Sequence, residues 1–359
     1  MTRRRSLASQ SARAIRSSEV VATLTATVRP EAAAVLGLDA AREIERIAAG
    51  LRLQVGTTLR RRGLVVAVSG GVDSSVCAAL AVRAMGSRRM LALALPERDS
   101  DPRSLGLARE LADRLGIQLV VEDITPVLEA VGCYRRRDDA IRRVEPNYGP
   151  GWASKILLPG NRLNSDRLNV YSIAVLPPNG DVRTMRLPGA AYLEIVAATN
   201  LKQRVRAMLA YHHADRLHYA VCGTPNRLEY DQGFFVKGGD GLADVKPIAH
   251  LYKTQVYQLA AALDIPKGVT DRPPTTDTYS LPQSQEEFYF ALPLLVMDLV
   301  LYAHTAGRST RATAEWLGLT PHQVARAYAD LEQKRATTRY LHEPALLVEP
   351  LSKMQDRGS

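Results

Sequence analysis

Short apolar runs alternate with helical repeats of apolar residues along the first third of the chain. The runs have the length and composition of buried strands, and they cover residues 64–68, 90–95 and 118–121. Before and between them, apolar residues recur at helical spacing over 39–62, 73–85 and 103–115, with Asp39 as the expected N-cap of the first helix. This alternation predicts an α/β fold in which helices flank a doubly wound parallel sheet.

Residues 132–190 break this alternation. The stretch is rich in Arg, Pro and Asn, and a basic cluster within it (135–137, Arg142 and Arg143) is expected to lie in a loop. Two runs of alternating polarity, 168–176 and 181–187, flank a Pro-Pro-Asn-Gly sequence. Because Asn-Gly between such runs is a hairpin signal, we interpret the stretch as an insertion that carries a β-hairpin and caps the site or contacts a partner.

The α/β pattern resumes after the insertion. It predicts a long helix over 199–216, a strand over 219–222 and a helix over 253–263. Further helices are expected over about 286–340, where Thr320 and Gln323 have the spacing of a capping box around Pro321.

The turn after the first predicted strand carries the main chemical signal. It reads Ser69, Gly70, Gly71, Val72, Asp73, Ser74 and Ser75. A predicted helix begins within it, so backbone N–H groups and the helix dipole form an anion site. A Walker turn would place a lysine on the β- and γ-phosphates, but this turn has none and holds Asp73 instead. An acid beside phosphates indicates a divalent cation between them.

This turn resembles the PP-loop of the ATP pyrophosphatases, which cleave ATP between its α- and β-phosphates. An ordinary Gly-Gly turn at a helix end is the alternative interpretation.

A second polar stretch, 223–253, begins at the end of a predicted strand, where parallel sheets present ligand-binding groups. Thr224 and Glu229 offer a hydroxyl and a carboxylate, which are suitable oxygen ligands for Mg²⁺–ATP. Three charged residues follow among glycines and predict a mobile loop: Lys237, Asp240 and Asp244. Taken alone, the stretch is equally consistent with a solvated connection between two elements.

Together these segments resemble the NAD synthase family. The matching motifs occur in the family's order over about residues 40–300: SGGVDSS, N-x-K-x-R-x-R, GT-x-N-x-x-E-x-x-x-G-F-F-x-K-x-G-D-G-x-A-D, L-Y-K-T-Q-V and P-P-T-T-D. The resemblance implies a ligase that uses ATP and Mg²⁺ to adenylate the nicotinate carboxylate of deamido-NAD. Pyrophosphate is released, and ammonia then displaces AMP to form the amide.

The resemblance also implies roles for individual residues. ATP and its pyrophosphate would be held by Ser69, Gly70, Gly71, Asp73, Ser74, Ser75 and Thr224, and the metal by Asp73 and Glu229. Lys253 and Thr275 would bind ATP and stabilise the departing phosphates, and Asp277 is a candidate for taking a proton from ammonium. The dinucleotide would be held by Asn200, Arg204, Phe234, Lys237, Asp240 and Asp244.

Several acceptor-side positions differ from the family pattern, whereas the ATP-side residues are all present. Val196 stands where an aromatic residue is common, Gly238 replaces a tyrosine after the loop lysine, and His342 lacks a neighbouring lysine. This asymmetry leaves a paralogue that amidates a different carboxylate as the alternative function.

Composition narrows the remaining classes of protein. The net charge of +10 suits polyphosphate ligands and also RNA. A PP-loop tRNA-modifying enzyme would need zinc-binding or sulfur-carrying cysteines, but Cys77, Cys133 and Cys222 lack C-x-x-C spacing, so nucleic acid is not expected as a partner. A helix-turn-helix match over 314–331 is weak, and we expect Trp316 in the core instead.

The predicted organisation is a basic N-terminal tail without fixed structure over 1–36 and one α/β domain over 37–350 with a helical C-terminal part. No apolar run approaches the ~20 residues that cross a membrane, and we expect a cytoplasmic enzyme with reduced thiols. No glutaminase domain fits before residue 60, so free ammonia or a separate glutaminase is expected. The resemblance further implies a homodimer.

Overall fold

A computed structural model describes residues 30–157, 171–273, 279–281 and 292–349 of the chain. Within these ranges the strands are β1 (Leu64–Ala67), β2 (Met90–Ala94), β3 (Gln118–Val121), β4 (Ala153–Leu157), β5 (Ser172–Leu176), β6 (Arg183–Arg186) and β7 (Ala220–Cys222). The α-helices are α1 (Pro30–Ala34), α2 (Ala40–Leu53), α3 (Val72–Met85), α4 (Pro102–Leu115), α5 (Thr125–Ala130), α6 (Cys133–Arg142), α7 (Gly189–Leu217), α8 (Arg227–Gln232), α9 (Lys253–Ala262), α10 (Lys267–Thr270), α11 (Leu294–Thr305), α12 (Thr310–Leu317) and α13 (Pro321–His342).

Four parallel strands form the central sheet in the order β3-β2-β1-β7. The register places Val66 of β1 beside Ala92 on one side and beside Cys222 on the other. From β1 the chain moves outward through β2 to β3, and β7 is then added on the opposite side of β1. Open α/β sheets bind ligands where the strand order reverses in this way, beyond the carboxyl ends of the strands. The predicted fold class is confirmed, and the sheet places the ligand site next to β1 and β7.

Different helices cover the two faces of this sheet. Leu64 and Val66 face a core shared with α2, α3 and α9, whereas Val65 faces a core shared with α6 and α7. Because successive side chains of a strand point to opposite faces, a strand buried on both faces has a continuous apolar sequence. The predicted bounds of β1, β2, α3 and α4 accordingly agree with the structure to within one residue.

The region predicted as an insertion is more ordered than expected. The hairpin is confirmed, because β5 and β6 pair antiparallel, but β4 also pairs with β5 and makes a three-stranded sheet. The basic cluster is not in a loop, since 135–137 and Arg142 belong to α6, which buries Tyr134 and Ile141. Arginine is a good helix former, and the basic residues hid the helical spacing of the buried ones. Residues 158–170, including the start of the predicted run 168–176, lie outside the described residues.

The last helices form a separate layer. α11, α12 and α13 pack with α1 around a core that contains Leu301, Leu317 and Leu331, and Trp316 packs against it as predicted. The expected capping box opens α13, where the Thr320 hydroxyl accepts from the Gln323 N–H at 3.2 Å.

The structure also bears on the predicted N-terminal tail, on membrane-spanning helices and on the cysteines. The tail predicted over 1–36 is too long, because Ala32 and Leu36 are buried in the same core as α11; residues 1–29 lie outside the described residues. In the part of the chain that the structure describes, no helix is long and apolar enough to cross a membrane. Cys77, Cys133 and Cys222 are free thiols and all are buried.

Candidate active site

The glycine turn after β1 is tightly packed. Gly70 has φ +73°, and a Cβ at this position would lie 2.9 Å from the carbonyl oxygen of Ser104 in α4. An L-residue at position 70 would therefore be strained twice, by its backbone conformation and by this contact. Gly71 is the N-cap residue of α3, so the first N–H groups of that helix face the turn. The geometry is that of an anion site at a helix N-terminus, as predicted.

The three serines of the turn have different surroundings. The Ser75 hydroxyl is fully buried and donates to the Gly71 carbonyl at 2.9 Å, so it holds the turn from inside. The Ser74 hydroxyl also donates to that carbonyl, at 3.0 Å, and it accepts from the Ser69 N–H at 3.3 Å. Ser69 and Ser74 line the adjacent cavity. Ser69 and Ser74 are thus placed to meet a ligand, and Ser75 is placed to support them.

Asp73 and Lys253 form an ion pair across the site. The Lys253 ammonium, on the first residue of α9, hydrogen-bonds Asp73 Oδ2, and Asn226 Nδ2 donates to Asp73 Oδ1 at 3.2 Å. Lys253 is only 2% exposed. Burial alone would lower the pKa of the Lys253 ammonium, but attraction to Asp73 and then to Glu229 outweighs burial, and this pKa is raised. The structure therefore places a buried lysine, paired with a carboxylate, at the phosphate turn.

Glu229 has a second task that sequence reasoning missed. Its carboxylate accepts from the Asn226 N–H at 3.1 Å, while the Asn226 side chain accepts from the Glu229 N–H at 3.1 Å. This reciprocal pair is a capping box at the start of α8. The Asn-x-x-Glu spacing after β7 was the signal for it.

The donor set fits a metal ion that arrives with phosphates. Among the described residues, no group of three or more His, Cys, Asp or Glu side chains could hold a metal ion by itself. Mg²⁺ usually keeps several waters and binds through one or two carboxylates plus substrate phosphates. Asp73 and Glu229, which both attract Lys253, are carboxylates of the kind such an ion needs.

A cavity of about 430 Å³ lies at the carboxyl ends of β1, β2 and β7. Ser69, Ser74, Thr224 and Asp240, all predicted site residues, line it together. Arg206 lines the same wall and donates to the Leu95 carbonyl at 3.3 Å; it was in a quoted motif but was not predicted as a site residue. Three residues predicted to bind ATP, Ser69, Ser74 and Thr224, therefore lie together at the reversal point of the sheet.

Of the predicted acceptor-side residues, Asp240 is the one that lines this cavity, and most of them bind protein atoms. Lys237 donates to the carbonyls of Tyr340 and Glu343 at 2.6 and 2.7 Å, and Arg204 donates to the Lys237 carbonyl at 3.4 Å. These bonds tie the predicted mobile loop to the end of α13.

Two acids of the same loop also have protein partners. Asp244 accepts from the Val221 N–H at 2.7 Å and from the Tyr211 hydroxyl at 3.2 Å, beside the sheet edge. Asp240 accepts from the Val236 N–H at 2.7 Å and closes a turn. Asn200 is half-buried on α7, and Phe234 packs partly against the C-terminal core. Thr275 and Asp277 lie outside the described residues.

The comparison with protein families gives a match over most of the chain. The model of the NAD synthase family matches residues 43–147 and 181–339 of this chain. The residues between these two segments lie inside the region predicted as an insertion.

Curated relatives match over most of their own length. The chain is 56% identical to the NH₃-dependent NAD⁺ synthetase of Rhizobium meliloti (strain 1021) over 320 residues, which are 89% of this chain and 95% of the relative. It is 56% identical over 312 residues to the enzyme of the same name from Mesorhizobium japonicum, and 37% identical over 241 residues to that of Thermotoga maritima. These alignments cover 87% and 67% of this chain and 98% and 79% of the two relatives.

Solved structures share the fold at low identity. An NMN synthetase from Francisella tularensis superposes with a TM-score of 0.59 at 21% identity, covering 87% of this chain and 99% of that one. An NH₃-dependent NAD synthetase from Campylobacter jejuni superposes with a TM-score of 0.56 at 19% identity, covering 87% and 100%. With the family match spanning more than half of its length and close relatives spanning most of it, this chain belongs to the NAD synthase family.

Proposed function

We propose that this protein is an ammonia-dependent NAD synthetase, which joins ammonia to the nicotinate carboxylate of deamido-NAD and cleaves ATP to AMP and pyrophosphate. The observation that carries the proposal is the 56% identity to the Rhizobium meliloti enzyme over 89% of the chain. The alternative, a paralogue for another carboxylate, is not favoured at this identity. The differences at Val196 and Gly238 are then variations within the family.

The cavity and the phosphate turn divide the binding of ATP between them. A volume of about 430 Å³ is in the range of small-molecule sites and suits the adenosine, with Thr224 and Arg206 on its walls. The N–H groups at Gly70 and Gly71 and the N-terminus of α3 would hold the phosphates. Asp73 and Glu229 would hold Mg²⁺, which, when bound, neutralises charge on the phosphate oxygens.

Lys253 acts where charge develops. When a carboxylate oxygen attacks the α-phosphorus, the bond to the β-phosphate breaks and negative charge grows on the departing pyrophosphate. The Lys253 ammonium would turn from Asp73 to that charge, and the negative phosphate oxygens would then replace the Asp73 carboxylate as its partner. Thr275 is proposed to assist it, and Asp277 is proposed to take a proton from ammonium before the neutral amine attacks the acyl carbon.

The dinucleotide is proposed to bind between α7 and the loop over 234–244. Asn200, Arg204 and Phe234 would contact it, and Lys237, Asp240 and Asp244 would hold the loop in shape through the bonds to protein atoms described above. We retain the homodimer, the cytoplasmic location and the use of free ammonium or a separate glutaminase as proposals. Light scattering of the purified protein tests the first of these.

A product assay with several acceptors tests the proposed function. The purified chain, Mg²⁺–ATP and ammonium are incubated with deamido-NAD, with nicotinate mononucleotide or with no acceptor, and nucleotides are separated by chromatography. We expect NAD, AMP and pyrophosphate in equal amounts when deamido-NAD is the acceptor, and no products under the other two conditions. Pyrophosphate release only with nicotinate mononucleotide would overturn the proposed acceptor. The two structural relatives, named for different products, show that the fold by itself does not select the acceptor.

A further inference from the structure

In the helix that begins with Lys253, the Gln255 side chain accepts from the Tyr252 N–H at 3.0 Å, but this bond does not reach the N–H groups of the first turn. Its N-cap residue is Tyr252, and no side chain at that position caps the helix. The first N–H groups of a helix have no partner within the helix, and Ser, Thr, Asp or Asn at the N-cap normally supplies one. The start of α9 therefore needs an acceptor from elsewhere in the fold.

Asp298, on α11, supplies that acceptor. Its Oδ2 accepts from the Thr254 N–H at 2.8 Å and from the Thr254 hydroxyl at 2.9 Å. The neighbouring backbone N–H of Lys253 also favours the charged form of this carboxylate and so lowers the pKa of Asp298. Asp298 is 0% exposed, and its Oδ1 has no hydrogen-bond partner within the described residues. A carboxylate is rarely buried so fully, so this one calls for a specific reason.

Burial makes this carboxylate unfavourable for stability. It raises the pKa of Asp298 to about 6, against the opposing effect of the N–H groups of Thr254 and Lys253. The contact is thus maintained at a local cost, and what the contact fixes is the backbone of Thr254, the residue after Lys253. The side chain of Lys253 reaches Asp73 at the start of α3. The first turn of α9 is therefore held at its backbone by the C-terminal layer, and its lysine is held at the ammonium by the phosphate turn.

We propose that Asp298 is a positioning residue that holds the first turn of α9, so that the Lys253 ammonium meets the pyrophosphate as it leaves. The inference rests on the proposed function, because it needs adenylation at this site. Asp298 itself does not touch ATP in this account. It acts through Lys253, and its loss is expected to slow the chemical step more than it weakens the binding of ATP.

The test compares Asp298 with a buried polar residue of the same layer. Thr313 is fully buried on α12, and its hydroxyl bonds that of Tyr328 at 2.8 Å, so Thr313→Val removes a buried hydrogen bond without touching α9. Pyrophosphate release is measured with deamido-NAD while ATP is varied, and thermal melting is recorded for each variant. We expect Asp298→Ala to lower kcat by about 10²-fold, as small displacements of a reacting group do, with a smaller change in KM for ATP.

Conservative variants keep the test decisive. Asp298→Asn retains an oxygen for the same N–H groups and should recover most of kcat. Asp298→Glu moves the carboxylate by one methylene and should lower kcat even where Asp298→Ala does not fold. Thr313→Val should lower the melting temperature and leave kcat unchanged.

Two failures can be told apart. If the wild type releases no pyrophosphate with deamido-NAD, the proposed function falls and this inference falls with it. If the wild type is active and the alanine and glutamate variants keep the kcat of Thr313→Val, Asp298 is a structural cap only and the inference alone is overturned.

Discussion

Two buried lysines, Lys202 and Lys253, are similar in burial and in their carboxylate partners but are expected to have different roles. Both are among the largest side chains that are almost completely buried, at 0% and 2% exposure, and both bind carboxylates. By burial and pairing alone they are equivalent. They differ in the surroundings of the carboxylates that they bind, and that difference separates a structural lysine from the one that we propose to be catalytic.

Lys202 belongs to a closed ionic network within the cavity wall, of which Glu97 is part. It donates to Glu97 at 2.9 Å and to Asp99 at 2.8 Å, whose side chains are 0% and 8% exposed. Arg137 of α6 adds a second cation to Asp99, and the Tyr134 hydroxyl donates to Glu97 at 2.7 Å. Two buried acids face two buried bases, and the loop that they fix forms one side of the cavity.

Lys253 has a partner that can be given up. Its acid, Asp73, is 16% exposed and stands at the phosphate turn. A ligand with phosphates and a cation can replace the lysine at Asp73, and the lysine can then bind the phosphates. A buried cation alone therefore does not mark a catalytic site; a buried cation whose partner is partly exposed at a phosphate turn is the better candidate.

Replacing Lys202 should have the largest effect, and the effect should be on stability. Lys202→Met leaves Glu97 buried without its cation and Asp99 with Arg137 alone, and breaking a buried pair in this way costs about 3–5 kcal/mol. Denaturant unfolding followed by circular dichroism measures the loss. A loss as small as that of an exposed ion pair would show that the network is not closed.

Replacing Lys253 should instead affect the reaction. Lys253→Met removes a donor from the departing pyrophosphate, and loss of one such donor lowers kcat by about 10²–10³-fold, or about 2.7–4 kcal/mol. Its effect on unfolding should be smaller than that of Lys202→Met, because Asp73 can be hydrated. The two lysines would be equivalent after all if both methionine variants lost the same stability.

Asn226 offers a milder test on the catalytic side. Asn226→Ala removes the N-cap of α8 and the amide bond to Asp73, and loss of an N-cap costs about 1 kcal/mol. Ser309→Ala removes the N-cap of α12, far from Asp73, and is the matched control. Both should lower stability alike, but only Asn226→Ala should also lower kcat. Equal kcat in the two variants would contradict a role for Asn226 at the site.

The smallest effect is expected at an exposed pair on α2. A hydrogen bond from Arg46 lowers the pKa of Glu43 from 4.5 to about 2, against burial and with help from His250. A lowered pKa in the folded state stabilises the protein above the ordinary pKa, and this contribution is lost as pH falls from about 4.5 to about 2. Since Arg46 is 60% exposed, we expect Glu43→Gln to cost below about 1 kcal/mol near neutral pH and nothing in strong acid. The unfolding free energies of the wild type and of Glu43→Gln, measured across pH, test this. A difference between them that grows as pH falls would contradict the predicted pH dependence.

The sequence predicted those parts of the fold in which one local rule decides. Continuous apolar runs predicted β1 and β2. Gly70 predicted the turn, and the structure shows that a Cβ at position 70 does not fit. α6 was missed because its buried residues alternate with arginines. β4 was missed because its partner, β5, lies further along the chain and no short turn motif links the two strands.

At the candidate site, the sequence identified the residues that stand in short motifs and missed those that depend on distant contacts. Asp73, Lys253 and Thr224 stand in motifs, and the structure brings them to one edge of the sheet. Asp298 stands in no motif, because its role depends on a helix 44 positions earlier in the chain. A lone acid in an apolar helix was the only local signal, and local spacing does not say what such an acid meets.

The most direct measurement of the central claim follows an oxygen atom. Deamido-NAD labelled with ¹⁸O in the nicotinate carboxylate is turned over with Mg²⁺–ATP and ammonium, and AMP and pyrophosphate are examined by mass spectrometry. If the carboxylate attacks the α-phosphorus and ammonia then displaces AMP, each AMP carries one labelled oxygen and the pyrophosphate carries none. Label in the pyrophosphate, or unlabelled AMP alongside newly formed NAD, would contradict adenylation at this site.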